Sequence, residues 1–169
     1  MTTDNKMSLI KNAVNCAIDK LKLNDEELFD VNINERSISH KLAEYLQQEF
    51  TGWNVDCEYN RKMKDRKTLN VSFNDVKDDD IEAKTVFPDI IVHRRQTHKN
   101  LLVIEIKKKG MSINKDKTKL EAFTGREYDY CFGLLLILKN NDFKRLWFTK
   151  GKQIKRVSKK NIEVLEHGG

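Results

Sequence analysis

The sequence feature that most restricts the possible folds of this 169-residue chain is a pair of short apolar runs separated by a polar segment. The runs are Ile-Ile-Val at residues 90–92 and Leu-Leu-Val-Ile at residues 101–104. Both are rich in β-branched residues and too short for helices, which is typical of strands, and the polar residues between them are typical of a turn. The sequence therefore predicts a strand, a turn and a second strand within residues 86–109.

Charged side chains stand at one end of this predicted hairpin. Asp89 follows the single proline of the chain, and Glu105 and Lys107 close the second run. If the hairpin turns at Thr97, Asp89 and Glu105 are equidistant from the turn and lie opposite each other. Glu105 and Lys107 are two residues apart, so they point to the same face of a strand. Because buried charges are unfavourable without a partner, this cluster predicts a binding or catalytic site.

The flanking sequence predicts an α/β domain. Apolar periodicity indicates helices over residues 8–22, 35–50 and 112–125, and strands over residues 53–59, 131–138 and 143–149. Asn34 is a good N-cap for the second helix, and Gly52 follows its end. The order helix, strand, strand, strand, helix, strand predicts a central mixed β-sheet flanked by helices, within a single domain.

Glu35 is an unusual acid at the start of the second helix. It lies in the middle of the arc that also carries the apolar residues Leu42 and Leu46. An acid in the first turn stabilises the helix dipole by about 0.3–1 kcal/mol, which is sufficient reason for a glutamate there. The other interpretation, which we favour, is that Glu35 reaches across the edge of the core toward the acidic cluster.

Pro88-Asp89, followed by Glu105-x-Lys107 at the end of an apolar strand, resembles the signature of the PD-(D/E)XK nuclease superfamily. The resemblance implies a restriction-endonuclease-like αβββαβ core over about residues 34–149. Residues 1–30 would be an N-terminal helix extension, and residues 61–84 a charged loop. A glutamate in the N-terminal helix recurs in many of these nucleases, which supports a site role for Glu35. The family also implies that the backbone carbonyl of Ile106 binds the metal ion.

The same residues suit metal-dependent hydrolysis of a phosphodiester. Magnesium neutralises phosphate charge and acidifies water, and it commonly uses only one or two carboxylates in proteins. Asp89 and Glu105 meet this requirement, and Mn²⁺ is an alternative ion. Lys107 would hold the attacking water and stabilise charge at phosphorus, and Glu35 would bind a second ion or a water. The predicted catalytic residues are thus Glu35, Asp89, Glu105 and Lys107, and the predicted metal ligands are Asp89, Glu105, Ile106 and Glu35.

Basic residues favour an anionic partner. Lysine and arginine number 32 against 26 acids, a net charge of +6, which indicates nucleic acid and DNA first. A charge run is usually a solvated loop, but one run directly precedes the acidic cluster and could contact phosphates: Arg61, Lys62, Lys64, Arg66 and Lys67. Asp116-x-x-Lys119-Leu120 resembles a pattern of several small families of the superfamily. Two interpretations of Lys119 are equally consistent with the sequence: an ion-pair partner of Asp116, or a lysine that faces the substrate.

Other classes of site are not indicated. The three cysteines lack metal or disulfide spacing and are expected to be buried or free thiols in a reducing compartment. The four histidines form no zinc-type spacing, and His93 and His98 are expected to be exposed turn residues. Without a membrane-length apolar run or a signal peptide, a soluble, cytoplasmic protein without membrane association is expected.

Two functions remain open from the sequence. The first is a metal-dependent endonuclease that hydrolyses DNA, with structure-selective cleavage as a subtype and RNA not excluded. Because one domain leaves no room for separate base recognition, sequence specificity would need a homodimer or a partner protein. The alternative is a nuclease-like module of a defence or mobile-element system that binds nucleic acid or protein without cutting.

Overall fold

A computed structural model describes residues 2–29, 34–58 and 87–155, together with the backbone of four two-residue strands between residues 61 and 85. These residues form an α/β fold with three α-helices and a six-stranded mixed sheet. The helices are α1 (Thr3–Asn24), α2 (Glu35–Glu49) and α3 (Asn114–Phe123), with a 3-10 turn at Glu26–Phe29. The strands are β1 (Asn54–Cys57), β2 (Arg61–Lys62), β3 (Asp65–Arg66), β4 (Thr68–Leu69), β5 (Lys84–Thr85), β6 (Ile90–His93), β7 (Asn100–Lys108), β8 (Phe132–Lys139), β9 (Asp142–Thr149) and β10 (Lys152–Gln153).

The main sheet has the order β1-β6-β7-β8-β9-β10. Its strands are antiparallel except for β7 and β8, which are parallel and are joined through α3. A parallel pair needs a crossover connection, and a helix is the usual one. The predicted order of elements is therefore present as α2, β1, β6, β7, α3, β8, and the expected mixed sheet flanked by helices is confirmed.

Alternating side chains of the central strands bury both faces of the sheet. Ile90, Val92 and Ile104 belong to a core cluster with residues of α1 and α2. Ile91 and Val103 belong to a second cluster with residues of α3. Because successive side chains of a strand point to opposite faces, the odd-numbered positions of β7 from Val103 onward face α3. This parity places Glu105 and Lys107 on the α3 side.

The predicted ends of α2 are confirmed. The Asn34 side chain accepts a hydrogen bond from the backbone N–H of Arg36 at 3.1 Å and so caps the helix. Gly52 follows the helix with φ of 77°, a conformation that favours glycine. Asn34 thus fixes where α2 begins, and with it the position of Glu35, and Gly52 follows where the helix ends.

A close approach at Gly133 holds α3 against the sheet. A Cβ atom at this position would lie 3.1 Å from Thr124 Cγ2 and 3.3 Å from Leu120 Cδ2. Such distances are tighter than ordinary van der Waals contact, so the absence of a side chain lets α3 approach β8. The last turn of α3 thereby packs closely on β8, and in the first turn Asp116 lies 3.6 Å from Lys107 at the end of β7.

The region between β1 and β6 is described only in part. Arg61 pairs with Arg66 across β2 and β3, and Thr68 pairs with Thr85 across β4 and β5, in two small ladders apart from the main sheet. The acidic run at residues 78–80 and the tail from residue 156 lie outside the described residues. In the part of the chain that is described, no helix has the length and apolar character needed to cross a membrane.

Candidate active site

The hairpin of β6 and β7 brings Asp89 and Glu105 to opposite positions. Ile90 pairs with Ile104 in the antiparallel register, so the next pair in the direction of Asp89 is Asp89 and Glu105. The register shifts by one residue between His93, which pairs with Asn100, and Val92, which pairs with Leu102, so this irregularity sets the pairing at the site end of the hairpin. Asp89 Oδ2 accepts a hydrogen bond from the backbone N–H of Ile106 at 2.6 Å. The facing arrangement expected from the sequence is therefore present.

Glu105 is the most deeply buried acid of this region, with 2% of its surface exposed. Its Oε2 atom lies 3.2 Å from Lys119 Nζ and accepts a hydrogen bond from it. Among the described residues, its Oε1 atom is buried without any hydrogen-bond partner. Burial, together with the negative charges of Asp89 and Asp116, raises the pKa of Glu105 to about 8, although the Lys119 ammonium acts in the opposite direction. A buried carboxylate oxygen with no donor is a position suited to a cation.

The pKa of Asp89 is also raised. Burial is the main cause, and the charge of Glu35 adds to it. The hydrogen bond from Ile106 and the positive charges of Lys119 and Lys107 oppose the rise. Burial thus makes the ionised form of each facing carboxylate less favourable, as expected for two acids at a site that binds a cation.

Lys107 stands between acids from two helices. Its Nζ atom is 3.6 Å from Asp116 Oδ2 on α3 and 4.0 Å from Glu35 Oε2 on α2. Neither distance is short enough for a strong hydrogen bond. The ammonium is therefore held by charge from both sides while remaining partly exposed, with 23% of the side chain accessible.

Glu35 reaches the end of β7 from the opposite layer. Its Oε1 atom accepts a hydrogen bond from the backbone N–H of Lys108 at 2.8 Å, while Oε2 faces Lys107. The expectation that Glu35 faces the acidic cluster is confirmed in these contacts. Its place in the first turn of α2 also agrees with the helix-dipole interpretation, so the two interpretations hold together.

Lys119 and Asp116 extend the cluster from α3. Lys119 Nζ is closer to Glu105, at 3.2 Å, than to its helix neighbour Asp116, at 3.9 Å. Burial acts to lower the pKa of Lys119, but Glu105 and Asp116 outweigh it and the pKa is raised. The structure thus pairs Lys119 first with Glu105, a contact that neither sequence interpretation anticipated.

Asp116 is expected from the sequence only as part of the Asp-x-x-Lys-Leu pattern and as an ion-pair partner of Lys119, and not as a site residue. It is 4% exposed, and among the residues described here its Oδ2 atom has no hydrogen bond. One signal could have identified it. Asp116 lies four residues before Leu120 and seven before Phe123, on the buried face of α3.

The remaining predicted site residues are Ile106 and the basic residues between β1 and β6. The Ile106 side chain is 1% exposed and packs in the core cluster of α1 and α2, so only its main chain is near the acids. Of the predicted phosphate-contacting residues, Arg61, Lys62 and Arg66 are described in backbone pairing alone. Lys64 and Lys67 lie outside the described residues.

Within residues 2–29, 34–58 and 87–155 and the short strands, no group of three or more His, Cys, Asp or Glu side chains is arranged to hold a metal ion. The predicted side-chain ligands Asp89, Glu105 and Glu35 therefore do not form such a group by themselves. Magnesium needs fewer protein ligands, because waters and substrate phosphate complete its shell. The facing carboxylates of Asp89 and Glu105, with the unpaired Glu105 Oε1, fit that smaller requirement.

A second charged cluster lies outside the acidic site and corrects one expectation. His93 is not an exposed turn residue: it is 4% exposed in β6, and its Nε2 lies 2.7 Å from Asp56 Oδ2. Arg95 also binds Asp56. Asp56 lies on the neighbouring strand β1, which explains the burial of His93, whereas His98 is exposed as expected. The three cysteines are free thiols.

Comparisons with protein-family models, with curated proteins and with solved structures found no match for this chain. The functional interpretation therefore depends on the residues and their geometry.

Proposed function

We propose that this chain is a metal-dependent endonuclease of the PD-(D/E)XK superfamily that hydrolyses phosphodiester bonds of DNA. One observation carries the proposal: Asp89, Glu105 and Lys107 lie together at the carboxyl end of β7, where Glu105 keeps a buried oxygen unpaired among the described residues. Two carboxylates and an adjacent ammonium can hold a metal ion and stabilise charge in phosphoryl transfer, whereas an ordinary β-sheet does not need such a group of charges.

The order of elements supports the family assignment. Counting the helices and the strands of the main sheet, the order from α2 to β8 is helix, strand, strand, strand, helix, strand, which is the order of the restriction-endonuclease-like core. The motif residues also occupy the expected places, since Asp89 lies just before β6 and Glu105 and Lys107 lie near the end of β7. Glu35 on α2 adds the acid that many members of the superfamily carry in their first core helix.

The chemistry follows from the positions of these groups. A bound Mg²⁺ or Mn²⁺ ion supplies charge neutralisation at the phosphate and a more acidic water. Asp89 and Glu105 would hold it, which would also favour their ionised forms. Lys107 would orient the attacking water and stabilise negative charge at phosphorus, because its ammonium is fixed by Glu35 and Asp116 rather than hydrogen-bonded tightly to either. Glu35 would set the position of Lys107.

A module that binds without cutting is the second candidate. Two observations favour it: Lys119 already neutralises Glu105, and no cluster of three acidic, histidine or cysteine ligands exists in the described part of the chain. Lys150, Lys152 and Lys155 are exposed and provide positive charge near the end of the described residues. Such a module would bind DNA with a steep salt dependence and with no need for a metal ion.

The test is cleavage of a panel of single-stranded, duplex, flapped, four-way-junction and supercoiled DNA, together with the matching RNA strands. Each substrate is incubated with Mg²⁺, with Mn²⁺ and with EDTA. Wild type is compared with Asp89→Ala and with Asp19→Ala, which removes an exposed acid of α1. We expect metal-dependent cutting by wild type and Asp19→Ala and none by Asp89→Ala.

Other outcomes have definite meanings. Equal cutting by Asp89→Ala would contradict the proposed site. Binding without cutting in every metal would favour the non-cleaving module, and preference for the RNA strands would change the substrate class while keeping the site.

A further inference from the structure

Lys119 is placed where a cation at Glu105 would compete with it. Its ammonium is 3.2 Å from Glu105 Oε2, and both side chains are largely buried, with 24% of Lys119 and 3% of Glu105 exposed. Lys107, by contrast, has its ion pairs with Asp116 and Glu35. Lys119 is thus the side chain that neutralises Glu105 directly.

Asp116 is a second carboxylate with which the Lys119 ammonium can pair. Its Oδ1 atom is 3.9 Å from Lys119 Nζ, and its Oδ2 atom is 3.6 Å from Lys107 Nζ. Both distances exceed those of charge-assisted hydrogen bonds, so Asp116 faces two ammonium groups without a close bond to either. Its Oδ2 atom is buried and lacks a hydrogen bond among the described side chains.

We propose that Lys119 is an internal counter-ion of Glu105 that a divalent cation displaces, and that Asp116 holds the displaced ammonium inside the site. This inference rests on the proposed metal-dependent function, and it assigns Lys119 and Asp116 as positioning residues. Displacement would remove Lys119 from Glu105 without leaving the Glu105 carboxylate unpaired, because the incoming cation replaces the ammonium.

The movement required is small. A charge-assisted N–H···O bond is about 2.8 Å long, so Lys119 Nζ needs to move toward Asp116 by only about 1 Å to form one. Lys119 follows Asp116 by three residues on α3, a spacing at which helix side chains are neighbours. The exchange therefore needs a change of side-chain conformation and no change of the fold.

The same exchange would offset the desolvation free energy of the buried Glu105 carboxylate whether or not the metal ion is bound. Without a metal ion, Lys119 supplies the positive charge that a buried carboxylate needs. With a metal ion, the pair Lys119–Asp116 keeps the lysine neutralised in turn. Lys119 would thus be paired with a carboxylate in both states, with Glu105 in the absence of the ion and with Asp116 in its presence.

Isothermal titration of the full chain with Mg²⁺ alone tests this inference without using activity. The variants are Lys119→Met, Asp116→Asn and the double variant, with Lys117→Met as the matched control on the same helix. The titrations are made at about pH 9, above the raised pKa of Glu105, so that a proton does not compete with Mg²⁺.

Removal of the competing ammonium is expected to tighten Mg²⁺ binding by about tenfold or more in Lys119→Met, with Lys117→Met near wild type. Asp116→Asn is expected to weaken binding, and to weaken it more when Lys119 is present than in the Lys119→Met background. Equal effects of Asp116→Asn in both backgrounds would overturn the holding role of Asp116.

The outcomes separate this inference from the proposed function. Wild-type binding with unchanged affinity in Lys119→Met would overturn the counter-ion role and leave the nuclease proposal standing. Absence of Mg²⁺ binding in wild type and in Lys119→Met would overturn both. If Lys119→Met fails to fold by circular dichroism, Lys119→Gln is used in the same cycle, with the same expected directions.

Discussion

The carboxylate of Asp89 is bonded to the main chain of Ile106, with 2.6 Å between Oδ2 and the backbone nitrogen. Ile106 lies between Glu105 and Lys107, so this bond fixes the first acid of the motif against the backbone that carries the other two residues. The geometry of the site thus depends on the hairpin itself and not only on contacts among charged side chains.

Two substitutions of Asp89 should distinguish the contribution of this hydrogen bond to stability from the contribution of the negative charge to cleavage. Asp89→Asn keeps a carbonyl oxygen for the Ile106 N–H, whereas Asp89→Ala leaves the donor unpaired and should lower the free energy of unfolding by about 1–3 kcal/mol. Both variants should lose metal-dependent cleavage. Urea denaturation measures the first effect, and equal stability of the two variants would show that the bond contributes little.

Glu105 should make the protein less stable as the pH rises. Its pKa in the folded protein is about 8, above the ordinary value of 4.5, so the stability present below about pH 4.5 is lost as the pH rises through 8. Asp89, whose pKa is also raised, acts in the same direction. Glu105→Gln should therefore increase the free energy of unfolding by roughly 2–5 kcal/mol at about pH 9 and by much less at about pH 5.

Thermal denaturation of Glu105→Gln and wild type at both pH values measures this difference. The variant should also lose cleavage, as expected where a functional group is held at a cost in stability. A variant that is less stable than wild type at the higher pH would mean that the pair with Lys119 stabilises the fold more than burial of Glu105 destabilises it.

Glu35 should act on cleavage more than on stability. Glu35→Gln retains an oxygen for the Lys108 N–H but removes the charge that faces Lys107, and Glu35→Ala removes both. We expect both variants to cleave slowly, and only Glu35→Ala to lose about 1 kcal/mol of stability. Cleavage at the wild-type rate by Glu35→Gln would leave Glu35 with the helix-dipole role alone.

The cluster of Asp56, His93 and Arg95 should be structural. Burial acts to raise the pKa of Asp56, but hydrogen bonds with Arg95 and His93 outweigh it and lower the pKa. Its stabilising effect is therefore present above the ordinary pKa and lost as the pH falls through the folded value. Asp56→Ala should reduce stability by about 1–3 kcal/mol and leave cleavage by the folded protein within about twofold of wild type.

The hairpin and its acids were predictable because their geometry is local. A two-residue side-chain period and a turn centred on Thr97 predict Asp89 opposite Glu105, and the structure reaches this pairing through a register shift between Val92 and His93 that the pattern does not show. Likewise, Asn34 and Gly52 mark the ends of α2 by backbone chemistry that does not depend on the rest of the fold.

The contacts of α3 were not predictable from the same patterns. The sequence allows Lys119 to pair with Asp116, but the choice of Glu105 depends on how closely α3 approaches the sheet, which Gly133 permits. The burial of His93 depends in the same way on Asp56 of a strand distant in sequence. Spacing along one element cannot give the distance between two elements.

The most direct measurement is the single-turnover cleavage rate in Mg²⁺ of wild type, Lys107→Met and Lys144→Met on the best substrate of the panel. Lys144 is an outward-facing lysine of β9 and serves as the matched control. We expect Lys107→Met to remain folded and to lower the rate by about 100-fold or more, with Lys144→Met near wild type. A wild-type rate in folded Lys107→Met would contradict the assignment of this cluster as the active site.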